Sequence, residues 1–265
     1  MAKLYTEEQL EKFRTSLRQI EDQTIYSGLV EKLEELTKSR NPSNYLLLPQ
    51  TEEHPDLLVP LNRLAYGPEV EAVAKELKLN LRNNIQGYIG NINFEQANAL
   101  CLSLDGFMNT PSYLAETLRI LNSGKAFDGA GRKLQNPEKA FKDITGQKNP
   151  WRSEWLKHIY SKKDNQLQVT YHKFDSSEHL IQVTEPLDED TLTKDKKISL
   201  EDWVNNPTSQ GLPKNSVKDG SLYYWQPKEG RVAGFIAYAG RAGLYCVGGA
   251  SYSNANLGVR VVGKK

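Results

Sequence analysis

The stretch RVAGFIAYAGRAGLYCVGGASYSNANLGVR, Arg231 to Arg260, decides how this chain is read. It holds no Lys, Glu, Gln, Asp, Met or Trp, whereas the whole chain carries 34 Lys and Arg against 33 Asp and Glu. Side chains two apart on a strand share a face, and here the apolar residues alternate. Phe235 and Ala237, then Ala242, Leu244 and Cys246, face one way. Ile236 and Tyr238, then Arg241, Gly243, Tyr245 and Val247, face the other. Gly240 stands where the parity shifts, which predicts a turn or bulge. The first set is small or apolar and suits a core. The second is chemically mixed, as on a surface not chosen for packing. From Gly248 to Asn256 the periodicity is lost and a loop is predicted; Leu257 to Val262 restores a strand.

The mixture of Tyr, Ser, Gly and Asn has a physical meaning. Tyrosine offers a large amphipathic contact with few rotors, and Ser, Gly and Asn adapt in shape and hydrogen bonding, as in antibody paratopes. Composition alone leaves two readings open: a ligand-binding surface, or a Gly-rich strand pair and loop with no ligand.

Working outward, Asp219-Gly220 precedes an aromatic strand, Leu222 to Trp225, and Pro227 to Gly230 is a turn. Leu167, Val169 and Tyr171 alternate with Gln168, Thr170 and His172, a period-two strand whose partner is His179 to Thr184. Glu185 to Lys197 is expected to be a solvated charged loop, and Lys125 to Pro150 a polar loop. Thr110-Pro111 opens a helix with Leu114, Leu118 and Leu121 on one face, ending at Gly124. Asn93 caps a helix carrying Ala97, Leu100, Cys101 and Leu104, ended by Gly106. Ile85 to Ile92 reads as a strand. Pro68 suits the first turn of a short helix that buries Val70, Val73, Ala74 and Leu77. Tyr45 to Pro60 reads as an apolar, Pro-punctuated connector. Before it, Thr6 to Gln9 has the form of a capping box. Leu10, Phe13, Leu17 and Ile20, then Ile25, Leu29, Leu33 and Leu36, repeat at helical steps until Asn41-Pro42. This helical hairpin packs on the rest of the chain or on a second copy, which would make a homo-oligomer.

At 265 residues the chain is long enough for a sizeable core, and a formal net charge of +1 gives no overall field for nucleic acid or an anionic membrane. With 2 Cys, Cys101 and Cys246, neither a disulfide framework nor a cysteine-rich zinc site can be built. No apolar run approaches the ~20 residues that span a bilayer, and Met1 to Arg14 has no signal-peptide pattern. Synthesis in a reducing cytoplasm is therefore expected, with virion or cell-surface association left open. His54, His158, His172 and His179 show no ligand spacing, and His172 and His179 are expected at the surface. Glu185, Asp188, Glu189 and Asp190 lack the Gly-punctuated loop of a calcium site. No metal, cofactor or catalytic residue is expected.

The ending Asn256-Leu257-Gly258-Val259-Arg260-Val261 resembles the terminal motif of formylglycine-generating-enzyme-like domains, a branch of the C-type lectin fold. Asn93 to Leu104 followed by Thr110-Pro111-Ser112-Tyr113-Leu114-Ala115-Glu116 is similar to that branch's helix pair, although Thr117 stands where an aromatic is usual. Within the branch the chain resembles the variable proteins of diversity-generating retroelements, particularly archaeal ones. The residues concerned are Val232, Ala233, Phe235, Ala237, Ala242, Leu244 and Cys246, then Leu257 to Arg260, with Pro150 to Leu156 and Tyr223-Tyr224-Trp225 as further framework.

That resemblance implies an α+β protein: a helical N-terminal region, residues 1–84, and a C-type-lectin-like domain, residues 85–265, with a long insertion and a variable region at 231–260. In such systems template codons AAC or AAT, miscopied at adenine, become any codon ending in C or T. These cannot encode Lys, Glu, Gln, Met or Trp, and Arg231 to Arg260 has none of the five. The resemblance implies ligand contacts at Tyr238, Arg241, Gly243, Tyr245, Val247, Gly248, Ser251, Tyr252, Ser253, Asn254 and Asn256, with Ile236 a weaker candidate and Arg260 a support of the fold. It implies binding of an unknown protein or surface ligand rather than catalysis. An invariant lectin-like protein is the alternative. A copper oxidase of the formylglycine-generating type is the third reading, and it lacks a second Cys beside Cys246.

Overall fold

The computed structural model describes residues 41–84 and 86–265. The expected helical hairpin from Thr6 to Leu36 lies outside the described residues, as does Ile85. Tyr45–Leu48 (β1) and Leu57–Pro60 (β2) pair antiparallel, with Leu46, Leu48, Leu57 and Val59 fully buried. The connector expected here is thus a hairpin: the two leucine-rich runs pair, and Pro49, Pro55 and the polar residues between them confine the break to the loop. Strand β2 also pairs with Val261–Lys264 (β14), which in turn pairs with Phe107–Met108 (β5). This makes a four-stranded sheet in the order β1-β2-β14-β5, joining residues 45–60 to the last strand. The strand expected from Ile85 to Ile92 shrinks to Ile89–Gly90 (β4), paired with Arg82–Asn83 (β3).

The larger, eight-stranded sheet runs β8-β7-β6-β11-β12-β10-β9, with β13 beside the start of β6, before the stretch that pairs with β7. Its long member is Arg152–Lys163 (β6). Gln166–Phe174 (β7) and Leu180–Pro186 (β8) form the expected hairpin. Lys196–Ile198 (β9) and Leu222–Trp225 (β10) follow. Val232–Tyr238 (β11) and Arg241–Gly248 (β12) form the closing hairpin, turning at Ala239 and Gly240. Leu257–Gly258 (β13) runs parallel to the start of β6. The charged loop expected from Glu185 to Lys197 therefore begins and ends in strands. The strand expected from Leu257 to Val262 divides at Val259 and Arg260 between the two sheets.

Helices pack against the sheets on both sides. Pro68–Glu76 (α1) starts at its proline. Phe94–Ser103 (α2) carries the full capping box between Asn93 and Gln96. Pro111–Asn122 (α3) is capped by Thr110, whose side chain accepts from the Tyr113 N–H, and eight of its residues are buried. Gly124, at φ +71, follows its end. After α2 the left-handed residue is Asp105 (φ 57), not Gly106. Gly106 is needed for room: a Cβ there would lie 2.5 Å from Val261 Cγ1. The loop expected from Lys125 to Pro150 contains Pro137–Thr145 (α4), which buries Ile144 and packs Ala140 and Phe141 against the core. Leu200–Asn205 (α5) is capped by Ser199 and buries Trp203.

The main core lies between α3 and the inner face of the large sheet. Phe235, Ala237, Ala242, Leu244 and Cys246, the set expected to face inward, are each at most 3% exposed. A second cluster gathers α2 with Trp155, Val232, Leu257 and Val259. His172 corrects an expectation: it is buried, while His179 is exposed. His172 pairs with Gln182 of β8 just past the end of the β6 ladder, with Lys157 of β6 its charged neighbour.

Candidate functional site

The outer face of strands β10, β12, β11 and β6 is assembled from the alternate residues. Register places Trp225 beside Tyr245, Tyr245 opposite Gly234, and Gly234 opposite Trp155. The neighbouring row is Tyr223, Gly243, Ile236 and Ser153. Glycines occupy two of these positions, and neighbours fill the space their side chains would take. A Cβ on Gly234 would meet the Tyr245 hydroxyl at 2.3 Å, so the Tyr245 ring lies across Gly234. Its hydroxyl is 3.0 Å from Ser153 Oγ, which itself donates to the Phe235 carbonyl at 2.9 Å. Tyr245 also meets the Trp155 ring, with centroids 6.3 Å apart. Burial pushes its phenol far above the ordinary value, only partly opposed by the Ser153 hydrogen bond, so it is neutral at any physiological pH.

Over this floor lies a recess of about 460 Å³. Tyr238, Tyr245, Val247, Gly248 and Tyr252 line it from the expected contact set, and Ile236 joins them. Trp151, Ser153 and Trp155 line it from β6 and the residue before it, Trp225 from β10, and Leu257 from β13. The walls are aromatic and aliphatic with a few hydroxyls, the composition of a site that binds by burial and shape. Tyr252 is 52% exposed and stands at the mouth.

Beside the recess, Arg241 is exposed. Its guanidinium carbon lies 4.9 Å from the centre of the Tyr223 ring and 5.9 Å from that of Tyr238. Two rings therefore fix its direction, and among the described residues it makes no ion pair.

The other expected contacts divide. Ser251 and Ser253 are exposed on the loop. Asn254 and Asn256 are half-buried and work as fasteners. The Asn254 carbonyl accepts from the Asn91 N–H at 2.7 Å, and its side chain accepts from the Asn256 N–H at 3.0 Å. The Asn256 carbonyl accepts from Arg63 Nη1 and from the Ser153 N–H, both at 2.9 Å. Gly243 must be corrected: it is buried and offers nothing to a ligand. A Cβ there would lie 2.0 Å from the Tyr223 carbonyl oxygen, because β10 runs close alongside in parallel. Gly248 is also confined, since a Cβ would come within 2.9 Å of Trp155 Cζ3.

Trp151, Trp155, Trp225 and Tyr223 are site residues that reading the closing segment alone misses. For β10 the run Leu222 to Trp225 is apolar or aromatic throughout, and only the structure shows that Leu222 and Tyr224 are buried while Tyr223 and Trp225 face out. For β6 there is no signal either, because Arg152 to His158 is buried on both faces and shows no alternation.

Underneath, Arg260 is 1% exposed, with Nε 2.7 Å from Glu154 Oε2, and donates to the Pro60 carbonyl at 2.8 Å. It joins the two sheets, the supporting role expected of it. The Cys246 thiol lies on the inner face, pushed up to about 12 by burial. Cys101 belongs to the other core cluster, and burial pushes its thiol up as well. Neither is a thiolate at neutral pH, and they do not form a pair. Among the described residues no group of three His, Cys, Asp or Glu is placed to hold a metal, and no helix is long and apolar enough to cross a membrane.

Compared with known proteins, the chain matches no family model, no curated protein and no solved structure. Fold and site together define an α+β protein with an aromatic recess on the outer face of its larger sheet.

Proposed function

We propose that this chain is a ligand-binding variable protein: a C-type-lectin-like scaffold whose closing hairpin and following loop present a diversified surface, as the targets of diversity-generating retroelements do. One observation carries the reading. Within a single hairpin, Phe235, Ala237, Ala242, Leu244 and Cys246 are core, while Tyr238, Tyr245 and Val247 line one recess with Tyr252 of the loop. A backbone held from behind tolerates change at the exposed positions Arg241, Ser251, Tyr252 and Ser253, because exposed substitutions usually alter stability little, whereas Tyr245 is packed against Trp155 and Ser153. The antiparallel pairing of β2 with β14, which brings strands far apart in sequence into one sheet, supports the lectin-like reading.

The test is to sequence the gene and its flanks across a natural population. Substitutions are expected at Tyr238, Arg241, Tyr245, Val247, Ser251, Tyr252 and Ser253, in codons ending in C or T. A near-repeat with adenines at those codons should lie beside a reverse-transcriptase gene. Phe235, Ala237, Ala242, Gly243, Leu244 and Cys246 should be constant. Variation spread evenly along the chain, with no near-repeat, would replace this reading with an invariant lectin-like interaction protein.

A further inference from the structure

The recess does not end at Trp225. Tyr223 lies on the same strand with its ring 4.6 Å from that of Trp225, and it lines a second depression of about 510 Å³. That depression is basic. Lys196, Lys197 and Lys218 line it, all exposed, and none makes an ion pair among the described residues. The carboxylate that lines it, Asp195, already accepts from the Gln226 N–H at 2.9 Å. Arg241, held between Tyr223 and Tyr238, stands where the two depressions meet. No carboxylate lines the aromatic recess itself. Register puts Lys197 opposite Tyr223 and so on the same face, while Lys196 lies opposite the buried Tyr224 and points the other way. One sheet face thus passes from an apolar hollow to the cations Arg241 and Lys197, with Lys218 of the adjoining loop beside them.

Resting on the binding role proposed above, we infer that the face takes a segment of a partner protein that inserts one large apolar side chain into the recess and lays adjacent carboxylates along Arg241 and the lysines. A cationic ligand, which an aromatic cage would otherwise attract, meets no carboxylate in the recess and, beside it, the like charges of Arg241, Lys197 and Lys218 against the single carboxylate of Asp195. The division of the chain sharpens the assignment. Trp225 and the three lysines lie outside 231–260, whereas Tyr238, Tyr245 and Tyr252 lie inside it. The constant Trp225 and lysines set the class of ligand, acidic beside apolar, and the variable part, which includes Arg241, selects among its members.

The full chain, labelled with nitrogen-15, is titrated with three end-blocked, unlabelled pentapeptides. Each has a central tryptophan flanked by aspartates, serines or lysines. A fourth has the aspartates and an alanine in place of the tryptophan. The indole N–H signals of Trp151 and Trp225 and the amides of Tyr238 and Arg241 report binding. The aspartate peptide is expected to bind tightest, by about fivefold over the serine peptide, the scale of one or two exposed ion pairs. Arg241→Gln combined with Lys197→Gln should abolish that advantage, as should high salt. If the lysine peptide binds equally well, the acidic assignment is overturned and the binding role stands. If the alanine peptide binds equally well, the apolar anchor is overturned. If none of the four moves the reporter signals at millimolar concentration, the recess is not a binding site and both readings fall.

Discussion

On a sheet face a glycine can matter for the side chain it withholds. Gly234 leaves room for the Tyr245 ring, and Gly243 leaves room for the backbone of β10. The neighbour in the second case is a carbonyl in a strand, which cannot swing aside. Gly243→Ala should therefore force β10 and β12 apart and cost about 1–3 kcal/mol or more, the usual scale of overpacking. Gly263→Ala, in a strand where a Cβ would meet nothing within 4 Å, is the control and should change little. Denaturant midpoints of the two variants measure the difference; equal midpoints would mean that the close approach of Tyr223 is not real. Period two assigned Gly243 to the outer face, which is where it points. It could not report that β10, some twenty residues earlier and parallel, closes over it. Local alternation sees which side a residue faces, and a pairing between distant strands decides whether anything can stand there.

Elements set the loop as well as the floor. The segment Gly248 to Asn256 has little regular structure of its own, and it is tied to the start of helix α2. The Phe94 N–H donates to the Ala250 carbonyl at 3.1 Å, and the Asn91 N–H to the Asn254 carbonyl at 2.7 Å. Trp155 Nε1 donates to the Ile92 carbonyl at 3.1 Å, fixing the same turn against β6. The Asn93 cap thus serves the helix and, through it, the loop that carries Tyr252. Asn93→Ala should cost about 1 kcal/mol, the usual worth of such a cap. It should also speed amide hydrogen exchange in the loop after Gly248 more than in β7 and β8, which lie away from that tie. Uniform acceleration over the whole chain would mean that the cap stabilises only globally. The capping box was legible because its residues are three apart and its chemistry is local. So were the starts of α1 and α3, at Pro68 and Thr110-Pro111, and the hairpin of β7 and β8. Helix α4 was missed although Ala140, Phe141 and Ile144 have helical spacing, because the polar residues around them carry the composition of a loop. Strand β6 was missed because burial on both faces erases the alternation by which strands are recognised.

At the scale of the whole molecule, folding buries two histidines that carry no charge. Burial holds His158 down to about 3, and burial with the nearby Lys157 holds His172 down to about 4, against 6.5 for a free imidazole. His158 Nε2 and His172 Nδ1 have no hydrogen-bond partner among the described residues, so neither has a ready acceptor for an added proton. Between pH 6.5 and about 4 the unfolded chain binds protons at both positions and the native chain does not. Stability must then fall as pH falls through that window, with a slope on the order of 1 kcal/mol per pH unit for each histidine. His54 acts in the opposite sense. Burial lowers its pKa, but the hydrogen bond to Glu116 and the Pro55 carbonyl outweigh that and leave it raised. Its contribution is present below pH 6.5 and is lost as pH rises through the raised value. Asp128, Asp143, Glu185 and Asp188 have lowered values, each with burial opposed by stronger hydrogen bonds or charges, and they add to the acid loss only below the ordinary carboxylate range. The sum is a maximum of stability above pH 6.5, because at 6.5 the two buried histidines still outweigh His54, with a steep acid limb and a gentler alkaline one. Denaturant unfolding at half-unit steps from pH 4 to 8 measures it. In His158→Leu the acid limb between pH 6.5 and 4 should lose about half its slope, whatever the variant's absolute stability. An unchanged slope would mean that His158 is hydrated or paired in the native protein, and that the interior behind the recess is wetter than its packing indicates.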